Sequence, residues 1–322
     1  MEDKKTSVIA LLKILEEHSD ENHILTQPEL LDLLDRLYGV KLDRRTLYRN
    51  IEMLQDFGYD ISTYNDNGKG YYLRDRQFEP SQINVLCNAI HSSTFIPNNS
   101  SKELINKLLA TQSKYIRSDY RATVFMENKN KKENKEFFLN VEVISEAIKN
   151  RKTISFNYTK YNLNKELVDK RQEPYIISPY YMVYKGEKVF MIGKSIHHED
   201  LTHFRVDKMK KIKITDDRYI RLAKSEDPYE YAKSKIYMYN GDDLKVAIKC
   251  DYEILDDIID IFGKDIRLEK QDDNYFVAYV KTSMQGMAYL ALQYINHMEV
   301  LEPTEVRQEI IKALKNGQKK YK

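Results

Sequence analysis

Apolar positions in the first quarter of the chain recur at helical spacing three times in succession. Val8, Leu11, Leu12 and Leu15 form one stripe between Ser7 and Glu17. Leu30, Leu34 and Leu37 form a second, opened by the capping-box sequence Thr26-Gln-Pro-Glu29 and stopped at Gly39. Leu47, Ile51 and Leu54 form a third, which begins after Asp43, a side chain suited to accept hydrogen bonds from the free N–H groups of a first turn. Each stripe predicts a helix that buries one side. On the third helix, Arg45, Tyr48, Arg49 and Glu52 recur along another face, with Arg44 beside them. The pattern then shortens to two extended runs, Asp60 to Tyr64 and Gly70 to Arg74. The link Asn65-Asp66-Asn67-Gly68 predicts a hairpin between them, with Lys69, Arg74 and Arg76 at its tip and exit.

Three helices and a basic hairpin, in this order, predict a winged helix-turn-helix over residues 1–78. Guanidinium groups on consecutive exposed turns can pair with phosphates or fork onto guanine N7 and O6. The candidate contacts to double-stranded DNA are therefore Arg44, Arg45, Tyr48 and Arg49, with Lys69 and Arg74 of the wing on the backbone or minor groove. The competing reading is a core helix with a solvated charged face. Residues 1–76 hold eleven Lys and Arg against fifteen Asp and Glu, which argues against an indiscriminate polyanion binder and leaves a sequence reader possible.

Further along, Ile83, Leu86, Cys87 and Ile90 mark a helix, and Ser100-Ser-Lys-Glu103 reads as the cap of another carrying Leu104, Leu108 and Leu109. These predict a helical connector over 79–135, ending in the basic, apolar-free run 128–135, which reads as an exposed loop. A helix from about Asn140 to Asn150 precedes a switch to period two. Strands are predicted at Ile154 to Tyr158, Val168 to Ile177, Tyr180 to Tyr184, Lys188 to Gly193, Thr202 to Val206 and Lys211 to Thr215, with a turn at Lys185-Gly186-Glu187. One helix and short antiparallel strands suggest a small half-open barrel over 136–225. After a tyrosine-rich linker, 226–243, residues 244–322 alternate as βαββαβ with a final helix, which suggests a ferredoxin-like layer of helices on one sheet. The fold class is thus α+β and multidomain.

The barrel segment resembles a known family. Ile154-Ser-Phe-Asn-Tyr158, Arg171 ahead of Glu173-Pro174, Ser178-Pro179, the hairpin Tyr181 to Met191 and Phe204-Arg-Val-Asp-Lys-Met209 together look like a WYL domain. Its name-giving triplet reads Val189-Phe190-Met191 here, and the arginine usual shortly before Phe-Arg is replaced by His203 or a nearby residue. The resemblance implies a bacterial transcription regulator: an N-terminal helix-turn-helix, an Sm-like or SH3-like barrel and a C-terminal extension of the WCX type. It also assigns ligand contact to Tyr158, Arg171 and Arg205, with His203 a possible fourth. An arginine fork beside a tyrosine ring suits a nucleotide or single-stranded nucleic-acid effector, and Lys160, Lys188, Lys208 and Lys210 could extend a basic surface. Structural salt bridges and core packing are the plain alternative for the same residues.

With 322 residues and a net charge of +2, the chain has room for several cores, and any basic surface is local. No phosphate loop, His-Glu-x-x-His, nucleophile elbow or Cys-x-x-Cys occurs, so no cofactor and no enzymatic activity are expected. His197-His198 with Glu199 and Asp200 reads as a solvated loop in preference to a metal site. Cys87 and Cys250, far apart in apolar contexts, read as inert thiols. No apolar run spans a membrane and no secretory signal is evident, which predicts a cytoplasmic protein without membrane contact. One short recognition helix reads few base pairs, so a homodimer on paired half-sites is expected. The alternatives are a nucleic-acid-processing enzyme and a protein-docking adaptor, each using the winged helix only for docking.

Overall fold

The computed structural model describes residues 2–123, 136–198, 200–222, 228–239 and 241–322. The chain divides into two compact units, Met1–Glu133 and Asn134–Lys322. The basic run 128–135 lies outside the described residues.

In the first unit, helices α1 (Glu2–His18), α2 (Gln27–Tyr38) and α3 (Arg44–Asp56) pack around Leu11, Leu15, Leu30, Leu34, Leu47, Ile51 and Leu54, as their spacing predicts; Ile14 and Leu33 join this core, whereas Val8 and Leu12 are only partly buried and Leu37 is exposed. Asp43 caps α3, accepting from the Arg45 and Thr46 N–H groups at 2.8 and 3.0 Å. The Glu29 carboxylate accepts from both Thr26 N–H and its hydroxyl at 2.7 Å, closing the start of α2. One polar pair joins helices inside the core, Asn50 Nδ2 donating to Ser7 Oγ at 3.1 Å.

The predicted hairpin is corrected. Only β1 (Ile61–Ser62) and β2 (Tyr72–Leu73) pair, and the link between them is a helical turn, α4 (Tyr64–Asn67), closed by Gly68. Asp66 accepts from Thr63 N–H and hydroxyl at 2.7 and 2.9 Å, so a local capping box outcompetes a tight turn there. The tip is then tied down by Asn67, whose side chain accepts from Lys69 and Gly70 N–H and donates to Gly70 O. Gly70 must be glycine, because a Cβ there would lie 2.2 Å from the Leu25 carbonyl oxygen. That contact lets residue 71 pair with Leu25 and bind the wing to the helical body.

Three more helices complete this unit: α5 (Pro80–Ser92), α6 (Asn98–Leu109) and α7 (Lys114–Thr123), with Ile83, Cys87, Leu109 and Tyr120 buried between them. Residues Ser100 to Glu103 lie inside α6 and are not its cap; the helix begins two residues earlier, after Pro97, whose fixed φ suits a helix entry. Polar links fasten α7 and its approach to the loop between α1 and α2 and to the segment after β2. Ser113 Oγ donates to Asp20 at 2.6 Å, the Tyr115 ring stacks on His23 at 3.5 Å, and Gln112 Nε2 donates to Phe78 O at 2.8 Å.

The second unit opens with α8 (Phe137–Asn150), then β3 (Thr153–Tyr161), β4 (Leu167–Asp169), β5 (Tyr175–Lys185), β6 (Lys188–Lys194), β7 (Thr202–Arg205), a 3₁₀ turn Val206–Lys208 and β8 (Met209–Thr215). All their pairings are antiparallel. The two runs expected at Val168 to Ile177 and Tyr180 to Tyr184 are corrected to a short β4 and one long β5 that passes through Pro179. A proline is tolerated there because the pairing with β6 shifts register between Pro179 and Tyr181. With a second bulge, between Ser155 and Asn157 against β8, these shifts curl the sheet. Gly193 of β6 lies against β5 so closely that a Cβ would meet Ile177 Cγ2 at 2.5 Å and Ser178 O at 2.6 Å. Buried Asn140 of α8 donates to Val206 O and Met209 O at 3.3 and 2.9 Å, holding the 3₁₀ turn in place.

A bridging segment, α9 (Pro228–Ser234) and a 3₁₀ turn Ile236–Met238, leads to the last layer. It comprises β9 (Asp243–Asp251), a 3₁₀ turn Tyr252–Ile254, α10 (Leu255–Phe262), β10 (Arg267–Lys270), β11 (Tyr275–Ser283), α11 (Met284–Gln293), β12 (Met298–Glu302) and α12 (Thr304–Lys320). The strand order is β10-β11-β9-β12, all antiparallel. Even-numbered residues of β9 and β11 face a core of Ile254, Ile258, Phe262, Met287, Leu290, Val306 and Ile310, so α10, α11 and α12 cover the same face.

Candidate nucleic-acid interface and ligand site

Arg44, Arg45 and Arg49 are exposed on α3, opposite buried Leu47, Ile51 and Leu54. Arg44 is positioned: its Nε donates to Tyr48 Oη at 2.7 Å, and Tyr48, half-buried, reaches Gln27 Oε1 at 3.4 Å. The Tyr48 hydroxyl thus fixes Arg44 along α3, with Gln27 of α2 beside it. A groove of about 970 Å³ opens between α3, the start of α2 and the wing, lined by Gln27, Arg44, Tyr48, Gln55, Asn65 and Lys69 among others.

The wing cations have different fates. Lys69 is exposed on the tip. Arg74 is neutralised within the wing, 3.1 Å from Asp60 and 3.4 Å from Asp66, with a further bond to Ser62 Oγ. Arg76 turns inward, donating to Glu16 O at 2.8 Å and Ser19 O at 2.6 Å, so it satisfies carbonyls at the end of α1. Burial pulls its pKa down, yet it stays a cation.

In the second unit the curled sheet collects an aromatic cluster. The Tyr158 ring lies 5.2 Å from Phe204 and 6.0 Å from Tyr175, and Tyr175 stacks on Phe156 at 5.6 Å. Arg171 covers the outer side of this group, its Cζ 3.6 Å from the Tyr175 centroid, with Nε and Nη2 held by Glu173 O and Pro174 O. Arg205 borders it from β7: its N–H donates to Tyr158 Oη at 3.1 Å, and its side chain pairs with buried Asp207. The structure thus brings Tyr158, Arg171 and Arg205 to one aromatic cluster. Burial pushes the Tyr158 phenol up to about 12, so it is a neutral hydroxyl at physiological pH. Burial, then Arg205, pull the Lys208 pKa down, with Lys170 and Lys188 adding to the effect, which marks a local concentration of cations.

His203 faces elsewhere. Its Nδ1 bonds Met238 O at 2.9 Å and its Nε2 meets Tyr231 Oη at 2.7 Å. A carbonyl only accepts, so Nδ1 carries the proton and Nε2 accepts from the tyrosine. Burial holds its pKa below the usual imidazole value. Both nitrogens are used to fasten β7 to the bridging segment, where Lys185 also donates to Ala232 O and Lys235 pairs with Asp243 at 2.6 Å. Tyr175 and Asp207 were not among the candidates read from the sequence, although Asp207 lies inside the quoted Phe-Arg-Val-Asp run and an acid two residues after an arginine is itself a signal. His197 and His198 are exposed, and no group of three metal-ligating side chains forms among the described residues. No described helix is long and apolar enough to cross a membrane.

Comparison with known proteins bears on this second site. The chain is 24% identical over 289 residues to the uncharacterized HTH-type transcriptional regulator YobV of Bacillus subtilis (strain 168), covering 86% of this chain and 89% of that protein. Among solved structures it aligns with proteasome accessory factor B/C (PafBC) of Arthrobacter aurescens at a TM-score of 0.29 and 14% identity, over 95% of this chain. It spans about half, 47%, of that chain. A CRISPR Cas-related protein aligns at a TM-score of 0.39 and 12% identity, over 99% of this chain and 85% of the other. The segment that holds the aromatic cluster, residues 140–214, matches the WYL domain family. This chain therefore contains a WYL domain, and Tyr158, Arg171 and Arg205 lie within it.

Proposed function

We propose that this protein is a DNA-binding transcription regulator, not an enzyme, that acts in the cytoplasm as a homodimer and whose WYL domain senses a nucleotide or single-stranded nucleic acid. The observation that carries the DNA-binding part is the exposed guanidinium face of α3, with Arg44, Arg45 and Arg49 on a helix capped by Asp43 and anchored by buried leucines. A helix of this kind fits the major groove, and the groove beside it, with Lys69 at its rim, fits a phosphate backbone. Arg74 then shapes the wing by its ion pairs, and Arg44 is oriented by Tyr48. A relative that carries the name of an HTH-type transcriptional regulator over most of its length supports the same reading.

The aromatic cluster supports a ligand with a stackable base, and the surrounding lysines support one with phosphates. The βαββαβ layer is read as the ferredoxin-like, WCX-type extension, joined to the WYL sheet through the bridging segment. The domain limits proposed are 1–78, 79–135, 136–225, 226–243 and 244–322. The decisive experiment is a mobility shift on genomic fragments selected by the purified protein. Arg45→Ala and Arg49→Ala, each removing one exposed guanidinium and no core contact, are expected to weaken binding about tenfold or more apiece while the circular dichroism spectrum stays unchanged. Undiminished binding by both variants overturns the assignment of α3.

A further inference from the structure

Asp207 lies in the 3₁₀ turn that follows β7, with its side chain 1% exposed. Its carboxylate accepts from Arg205 Nε at 3.0 Å and Nη2 at 2.7 Å. This side-on pairing uses one edge of the guanidinium. The end-on edge, one N–H from Nη1 and one from Nη2, stays clear, since among the described residues nothing is bonded to Nη1 and the Arg205 side chain is 20% exposed. Two further contacts keep the group aimed: the Arg205 backbone N–H is held by Tyr158 Oη, and Asn140 holds the turn through Val206 O.

The buried carboxylate also cancels most of the local charge. Arg205 is left as a directed pair of donors with a weak field, a poor trap for a phosphate and a good match for a neutral group with two adjacent acceptors. Long-range attraction is supplied elsewhere, by Lys208, whose pKa burial and then Arg205, Lys170 and Lys188 all act to lower, and by those two lysines. Attraction and direction are thus assigned to different side chains. Among the nucleobases, guanine offers adjacent acceptors at O6 and N7, and cytosine at N3 and O2. Adenine and thymine alternate donor with acceptor along each edge.

We infer that Asp207 is a specificity-determining residue of the ligand site, because it fixes Arg205 as an end-on fork that selects guanine or cytosine over adenine and thymine in a single-stranded effector. The inference rests on the reading that the WYL domain binds a nucleic-acid-like ligand.

The test uses the full chain in an Arg45→Ala/Arg49→Ala background, so that the winged helix does not contribute. Fluorescence anisotropy follows 12-mer oligothymidylates whose three central positions are dT, dA, dG or dC. The dG and dC strands are expected to bind about tenfold tighter than the dA and dT strands. Asp207→Asn should compress that preference to within about threefold and steepen the salt dependence of binding to every strand, because the arginine regains its full charge. Arg205→Lys, which keeps a charge and loses the fork, should remove the preference even if Asp207→Asn folds poorly. Binding of all four strands with equal affinity by the parent protein overturns the inference and leaves the nucleic-acid reading standing. Absence of binding to any strand at low salt overturns both.

Discussion

Arg76 offers the sharpest test of how the first unit is held together, because a side chain that reads from the sequence as a wing cation is part of the end of α1. Replacing it by methionine keeps the apolar stem and removes the guanidinium. Two bonds are lost at good distance, to Glu16 O at 2.8 Å and Ser19 O at 2.6 Å, while those to Leu15 O and Thr111 O, at 3.4 and 3.5 Å, are too long to count. A charged hydrogen bond contributes about 1.5–3 kcal/mol, and removing a cation from a helix C-terminus costs about 0.3–1 kcal/mol more. The residue is half-buried, so water replaces part of what is lost, and the expected cost is about 2–3 kcal/mol. In hydrogen exchange read by mass spectrometry, this is about a 30- to 160-fold faster exchange of the peptide covering the last turn of α1, if that turn opens locally. Arg76→Lys, with the charge and fewer donors, should fall between. A methionine variant whose α1 peptide exchanges within twofold of the parent would refute the capping role.

Other consequences are simpler to check. His203 is neutral when its two bonds are made, and its pKa in the folded chain lies below the ordinary 6.5, so its contribution is complete above about pH 6.5 and is lost as pH falls through the folded value. Thermal unfolding between pH 5 and 7.5 should therefore show a steeper loss in the parent than in His203→Gln; equal slopes would remove His203 from that balance. Gly193→Ala should cost about 1–3 kcal/mol, since a methyl group would press on Ile177 and the Ser178 carbonyl, and a melting temperature unchanged from the parent would contradict the close packing of β5 and β6.

Much of the architecture was legible from short-range signals, and the places where reading failed share a cause. Helices α1 to α3 follow from apolar spacing and caps because every group involved lies within four residues of its partner, as with Asp43 and Thr46 or Thr26 and Glu29. The turn α4 follows from the same kind of short-range signal, the capping bonds between Thr63 and Asp66, which here outweigh the hairpin preference of Asn67-Gly68. The side chains whose roles changed are those with distant partners. Arg76 meets Ser19 across 57 positions and His203 meets Met238 across 35, so no local pattern distinguishes them from a DNA cation or a ligand contact. Pro179 reads as a strand breaker until the register shift beside it is known. Asp207 differs, since its partner Arg205 is two residues away. What the sequence could not disclose is its burial, which turns an ordinary acid into a fixed counter-ion and a free arginine into an aimed one. On α3 the acid Asp56 lies seven positions beyond Arg49, and Glu52, though only three positions from Arg49, forms no ion pair with it among the described residues, so Arg45 and Arg49 both stay exposed. Exposed guanidinium groups without an intrahelical partner are what a phosphate backbone requires, because each one that pairs with a phosphate releases a counter-ion condensed on the nucleic acid.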